Sequence, residues 1–379
     1  MEKTILVLGA GTGGVITAKN LSSKVGSKAR IILFEKEENN VFSPSLLWLM
    51  VGKRRPEKIF RKTRKITGIG ITVIVGNIES VDPQEISVKI NGLEYKGDYM
   101  VISLGAEYEN EHNLDKYGHN FYTLDGATHF NNELQNFKGG KIALVIPSLP
   151  FKCPAAPYEA AMLVESYIRK KKLRSKTEIS LYTPEPGPMA VAGKELSGAV
   201  RQMVEMKGIN YFPDQQLTSV TEKTITFSDG KTTQYDLLAF TPKHQCPVVI
   251  KESALPGNSG WIEVDRNTME TNFPDVYAIG DITFIALEMG KPLPKAGVFA
   301  HYQAETVAHN IAQKITGKTP DKIFHGDGQC FIESGDGKAG YAGGNFYGSP
   351  LPVLKMKKPG IFWHWTKVWL EKYWFFKYF

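Results

Sequence analysis

Cysteine is scarce: 379 residues hold only Cys153, Cys246 and Cys330. Three thiols cannot build the framework of a small disulfide scaffold. They suit a reducing compartment, where cysteines are more often catalytic than structural. Nowhere do about 18 uncharged apolar residues follow one another, so no transmembrane helix is expected. A strand-like run already begins at Thr4, which leaves no room for a signal peptide. Zinc-type ligand spacing is lacking, as are a C-x-x-C-H haem site and a serine-triad context, so no metal is expected. Acidic charge is the minority: 39 Asp and Glu against 46 Lys and Arg give a net +7. That balance favours an anionic partner, a membrane surface or a nucleic acid. The basic residues are not interleaved with a recognition module, so nucleic acid is not expected.

The clearest positive signal lies at the start. Thr4–Leu8 is an apolar run, and Gly9-Ala10-Gly11-Thr12-Gly13-Gly14 follows it. A helix is expected from Val15 to about Ser22, then a strand at Ile31–Phe34 closed by Glu35. Glycines at 9, 11 and 14, with an acid 21 residues past the last, complete a β-α-β dinucleotide fingerprint. Gly9 permits the tight turn, and Gly11 lets the backbone approach a pyrophosphate. Gly14 lets helix and strand pack closely, and Glu35 can take a ribose hydroxyl.

A second α/β unit spans Lys141 to Tyr182, with a strand at 141–146 and a helix from about Tyr158 to Lys170. Its turn, Pro147-Ser148-Leu149-Pro150-Phe151-Lys152, contains no glycine. Each proline lacks the N–H that a phosphate cradle would use, and Leu149 and Phe151 hinder close approach. The length implies two such domains with a small extra element.

The tail, IFWHWTKVWLEKYWFFKYF at 361–379, carries Trp363, Trp365, Trp369 and Trp374, four of six tryptophans. On a helix His364, Lys367 and Glu371 share one narrow stripe, and the remaining surface is mostly aromatic and aliphatic. Tryptophan and tyrosine with snorkelling lysines is the composition of a helix lying in the headgroup region. A helix packed on the body or on another subunit is the alternative. The basic run Lys53, Arg54, Arg55, Lys58, Arg61, Lys62, Arg64 and Lys65 reads equally as a solvated helix face or a membrane-facing patch.

In this order the pieces resemble the flavoproteins with two dinucleotide-binding domains. Within them the chain looks like the sulfide:quinone oxidoreductase and flavocytochrome c sulfide dehydrogenase family. Phe42-Ser43-Pro44-Ser45, Cys153-Pro154 with Pro157-Tyr158-Glu159, Pro292 to Phe299, and Cys330 followed by Phe331 carry that narrower match. The resemblance implies two Rossmann-like domains and a C-terminal amphipathic membrane-binding region. The FAD-binding domain would be 1–107 with 261–330. The second domain, lacking an NAD phosphate turn, would be 108–260, and the C-terminal region 331–379.

The resemblance further implies non-covalent FAD. Its contacts would be Gly9, Gly11, Thr12, Gly13, Gly14, Glu35, Lys36, Pro44, Ile78, Ser103, Leu104, Gly105, Gly280, Asp281, Lys295, Ala296 and Gly297. Cys153 and Cys330 would form a redox pair beside the flavin, taking sulfide as substrate and passing two electrons on to a membrane quinone. Glu159 at a helix start and His244 near neutral pH are candidates for proton handling. Phe331, Phe346 and Tyr347 are candidates for the quinone pocket. Many relatives carry a third cysteine upstream of the Cys153 position. Residues 106–152 hold none, and Cys246 is either an auxiliary sulfur carrier or a bystander. The expected location is peripheral, on the inner face of the cytoplasmic membrane, and a homo-oligomer is left open. A type II NADH:quinone dehydrogenase and another FAD-dependent thiol or persulfide oxidoreductase remain alternatives.

Overall fold

The computed structural model describes residues 2–379. Strand Lys3–Leu8, helix Thr12–Val25 and strand Ala29–Glu35 form the expected β-α-β unit, the helix longer at both ends than its apolar pattern suggests. Gly14 is obligatory at its start, because a Cβ there would overlap the Gly9 carbonyl oxygen. The first sheet is parallel throughout. Its order is Val276–Ala278, Tyr99–Ile102, Lys3–Leu8, Ala29–Glu35, Ile71–Val75. The chain reverses its direction of winding at Lys3–Leu8, so a ligand crevice opens beyond the carboxyl end of that strand.

The second parallel sheet has the order His119–Asn120, Leu237–Phe240, Gly140–Val145, Thr177–Tyr182, Asn210–Phe212. Its central strands are buried along most of their length and read as continuous apolar runs, as parallel strands covered on both faces do. A third, antiparallel sheet follows: Asp327–Gly335, Lys338–Asn345 and Val353–Gly360. A domain boundary between 330 and 331 would cut its first strand. The last strand runs directly into helix Ile361–Tyr378.

That helix docks on the protein by its charged stripe and leaves most of its aromatic surface outside. Its charged stripe faces the protein: Lys367 is 5% exposed and Glu371 0%. Phe362, Trp365, Trp369 and Phe376 face outward. Trp374 is buried against Phe42, ring centroids 5.8 Å apart, and Trp363 stacks on Tyr341 at 4.6 Å. Of the four tryptophans assigned to a membrane face, only Trp365 and Trp369 are exposed.

Two residues of the basic run hold the helix in place. Arg54 grips Glu371 with Nη2–Oε2 at 2.7 Å and Nε–Oε1 at 3.0 Å. Arg61 lies over the Phe375 ring at 4.1 Å. The run holds two short 3₁₀ turns with a strand between them, not a helix face. No helix among the described residues is long and apolar enough to cross a membrane.

Because Glu371 has no exposed surface, removing Arg54 leaves an unpaired buried carboxylate. R54M should cost on the order of 3 kcal/mol and expose the C-terminal helix to limited proteolysis. R54M/E371M should recover most of the thermal stability. A double variant as unstable as R54M would show that the pair does not set the docking.

Candidate active site

A cavity of about 570 Å³ opens at the switch point. Gly11, Thr12, Glu35, Lys36, Phe42 and Pro44 line it from the first domain, Tyr108, Thr123 and Lys152 from the second, and Trp374 from the C-terminal helix. Sequence reasoning assigned Trp374 to lipid and did not find Tyr108, Thr123 or Lys152, which reach the cavity only through tertiary packing. Glu35 accepts from the Ala10 N–H at 2.7 Å and the Glu37 N–H at 3.1 Å, and burial pushes its carboxyl up.

A smaller recess adjoins Gly280, Asp281, Lys295 and Ala296. Asp281 Oδ1 is buried there with no partner, and burial raises its pKa. Such an orphaned acceptor calls for a donor from a bound molecule. The helix Gly297–Ile315 starts beside it with no side-chain cap, leaving N–H groups and the positive end of its dipole free. An orphaned acceptor, an uncapped helix end and a cavity of this size fit a flavin dinucleotide.

The remaining fingerprint residues act mainly on the fold. Ser103 Oγ donates toward the carbonyls of Leu8 and Gly9, at 3.0 and 2.8 Å. Gly13 packs under Ile279. Leu104 and Ile78 pack on the cluster around Leu6 and Ile102, and neither lines the cavity.

The turn 147–155 places the first cysteine. Phe151 is buried in the second-domain core, while Leu149 stays exposed. Tyr122 Oη donates to the Lys152 carbonyl at 2.9 Å, the Cys153 N–H to Lys295 O at 2.7 Å, and the Ala156 N–H to Cys153 O at 2.8 Å. Cys153 itself has φ +52°, a left-handed conformation that a non-glycine residue holds only under constraint. The constraint ties the cysteine turn to the Lys295-Ala296-Gly297 segment.

Cys330 approaches from strand Asp327–Gly335, whose inner face packs on helix Ala156–Lys170. Both thiols are free. Cys153 is reachable from solvent yet ringed so closely by protein that burial pushes it up to about 12, helped by Glu159 and opposed by Lys367. Burial also pushes Cys330 up to about 12, with Cys153 itself the next cause. Glu159 and Lys367 act on both thiols.

Glu159 is the hub beneath them. Its Oε1 accepts from the Glu333 N–H at 2.6 Å and from Lys367 Nζ at 2.9 Å. Burial raises the Glu159 carboxyl while Lys367 pulls it back. Burial lowers Lys367, but Glu159 and Glu333 outweigh it and the net direction is up. His364 Nδ1 lies 2.8 Å from Glu333 Oε1. The sequence held a signal for this set, three ionisable residues on one stripe of an aromatic helix, but nothing in it said that the stripe faces inward.

His244 does not meet its expectation. Burial and nearby Lys152 push its pKa down to about 3, so it is neutral at physiological pH. Its Nδ1 is 2.8 Å from Pro242 O, and Tyr108 and Tyr122 enclose the ring. Cys246 is buried in the core cluster of the first domain, its thiol pushed up to about 11. The quinone candidates divide. Phe331 joins Tyr341 and Trp363, whereas Phe346 packs on Phe299 and Tyr347 on Phe324 and Arg266.

The family model for pyridine nucleotide-disulphide oxidoreductases matches residues 3–309. The chain belongs to that family. It is 26% identical to a mitochondrial sulfide:quinone oxidoreductase of Mus musculus, covering 92% of this chain and 80% of that protein. A sulfide-quinone reductase of Aquifex aeolicus is also 26% identical, covering 100% and 91%. The solved sulfide:quinone oxidoreductase of Aquifex aeolicus superposes with a TM-score of 0.89 at 22% identity, over 99% of this chain and 91% of that one.

Lys367 favours thiolate over thiol at both cysteines. K367M should therefore raise the thiol pKa values, moving the rising limb of any thiolate-dependent rate toward alkaline pH by about one unit. A pH profile of cysteine alkylation checks this, and an unmoved profile removes Lys367 from the site's electrostatics.

Proposed function

We propose that this oxidoreductase takes electrons from sulfide through Cys153 and Cys330, uses FAD, and reduces a membrane quinone. The observation that carries the reading is the turn of the second domain: in place of an open nucleotide turn it holds Cys153, whose N–H bonds to Lys295 O, while Cys330 lies on the strand packed against the helix that follows. The likeness to sulfide:quinone oxidoreductases across nearly the whole chain supports it.

The second domain argues against NADH as donor. Glu185, just beyond strand Thr177–Tyr182, stands where a ribose-binding acid would be expected. Its carboxylate is buried and accepts from Tyr158 Oη at 2.7 Å. Its acceptor capacity is thus spent inside the protein, and the prolines of the turn supply no phosphate cradle.

Within this reading, hydrosulfide attacks one sulfur of an oxidised Cys153–Cys330 bridge. The S–S bond breaks, leaving a persulfide on one cysteine and a thiolate on the other. Lys367 stabilises that thiolate, and Glu159 is placed to hold a proton near the sulfurs. Asp281, Glu35 and the start of helix Gly297–Ile315 would hold FAD without a covalent bond. Bound FAD would supply the two-electron acceptor chemistry by which thiolate and persulfide, losing one proton, rejoin as a bridge one sulfur longer; further hydrosulfide then carries the extra sulfur off as polysulfide and restores the Cys153–Cys330 bridge. Trp374 and Phe42 wall the cavity against water.

A quinone is lipid-dissolved, so the enzyme must reach a bilayer. The outward aromatic face of the C-terminal helix supports a peripheral attachment there. Phe331, with Tyr341 and Trp363 between Cys330 and that face, is the best placed of the quinone candidates.

Anaerobic sulfide should bleach the flavin of the purified protein, and a quinone analogue should restore its colour; NADH should do neither. C153S and C330S should each lose sulfide bleaching by at least about a hundredfold while staying yellow. Bleaching by NADH, or wild-type behaviour of both variants, would reject the reading.

A further inference from the structure

The surface around the C-terminal helix has a charge pattern of its own. Between residues 337 and 379 the only acidic side chain is Glu371, which is fully buried and held by Arg54. Among the described residues no carboxylate forms a salt bridge with Lys355, Lys357, Lys358, Lys372 or Lys377, although Glu305 lies near Tyr378. The exposed charged side chains of the last strand and the helix are all cationic: Lys355, Lys357 and Lys358 on the strand, and Lys372 and Lys377 on the helix.

The strand is an edge, paired on one side only. Its side chains alternate. Leu354 and Met356 pack on the core, while Val353, Lys355 and Lys357 point out. Gly360 joins strand to helix without a loop, so the lysine row leads into the helix.

On the helix, Phe362, Trp365, Trp369, Tyr373 and Phe376 recur at spacings of three and four and form one outward stripe, Phe376 being 88% exposed. At 100° per residue, Lys372 and Lys377 fall on opposite flanks of that stripe. There their stems can follow the aromatic surface while the ammonium groups stay in a polar layer.

We propose that the lysine-bearing edge strand and the aromatic helix face form one docking surface that selects bilayers with anionic headgroups. This rests on the reading of the protein as a peripheral quinone user and adds the chemistry of the lipid it attaches to. Aromatic side chains give insertion into the interface of any bilayer. Selectivity comes from lysines whose counter-charges the protein does not supply. Each lysine close to an anionic surface strengthens binding on the order of fivefold, and salt weakens it.

The test is co-sedimentation of the FAD-loaded protein with phosphatidylcholine vesicles and with mixed phosphatidylcholine–phosphatidylglycerol vesicles, at low and high sodium chloride. Wild type should bind the mixed vesicles on the order of a hundredfold more tightly, and salt should erase the difference. K355Q/K357Q/K358Q should lose most of that preference while keeping its residual binding to neutral vesicles. W365A/W369A should weaken binding to both.

Equal wild-type affinity for the two vesicles, or an unchanged preference in the triple glutamine variant, overturns the proposal. So does a concentration-dependent self-association that W365A/W369A abolishes while neither vesicle binds, since the face would then join copies of this chain. Sulfide bleaching and reduction of a soluble quinone analogue in detergent, run on the same samples, report the redox reading separately.

Discussion

The buried pairing of Lys367 with Glu159 is the constraint on which the rest depends. Both groups are nearly without exposed surface, so neither can hold charge there unless the other is present. Satisfying that pair, together with Arg54–Glu371 and His364–Glu333, leaves helix Ile361–Tyr378 only one rotation about its axis. Its aromatic side is thereby pushed outward, and Trp374 is carried to the wall of the large cavity. One electrostatic requirement thus sets the thiol environment, the cavity wall and the exposed face at once. The tail is therefore integral to the packing around Glu159 and the cavity wall.

A second consequence concerns the donor. In an ancestral nucleotide-binding unit the turn after the first strand and the acid after the second would be left free for a ligand. Here both are occupied by the protein itself, the turn by its bonds to Tyr122 and Lys295 and the acid by Tyr158. In place of a phosphate cradle the turn presents Cys153, held with a left-handed backbone.

Much of the frame was legible from residue types alone. The glycines at 9, 11 and 14 leave the backbone few alternatives, since a Cβ at two of them collides with neighbouring carbonyl oxygens. Apolar runs such as 141–146 declare buried parallel strands. The missing glycines at 147–152 exclude a phosphate cradle whatever the surroundings, because a proline nitrogen has no hydrogen to offer. These are local properties, and local sequence determines them.

What only the tertiary structure decided is which way things face. The tail's composition is that of an interfacial helix, yet its charged stripe is buried and one of its tryptophans lines the cavity. His244 has the ordinary side chain of a neutral-pH base, but burial beside Lys152 keeps it neutral. Cys153 and Cys330 lie 177 positions apart, and only the packing of strand Asp327–Gly335 on helix Ala156–Lys170 brings them together. Charge, burial and distance between remote residues are properties of the packed chain. They follow from desolvation and pairing, which no stretch of sequence contains by itself.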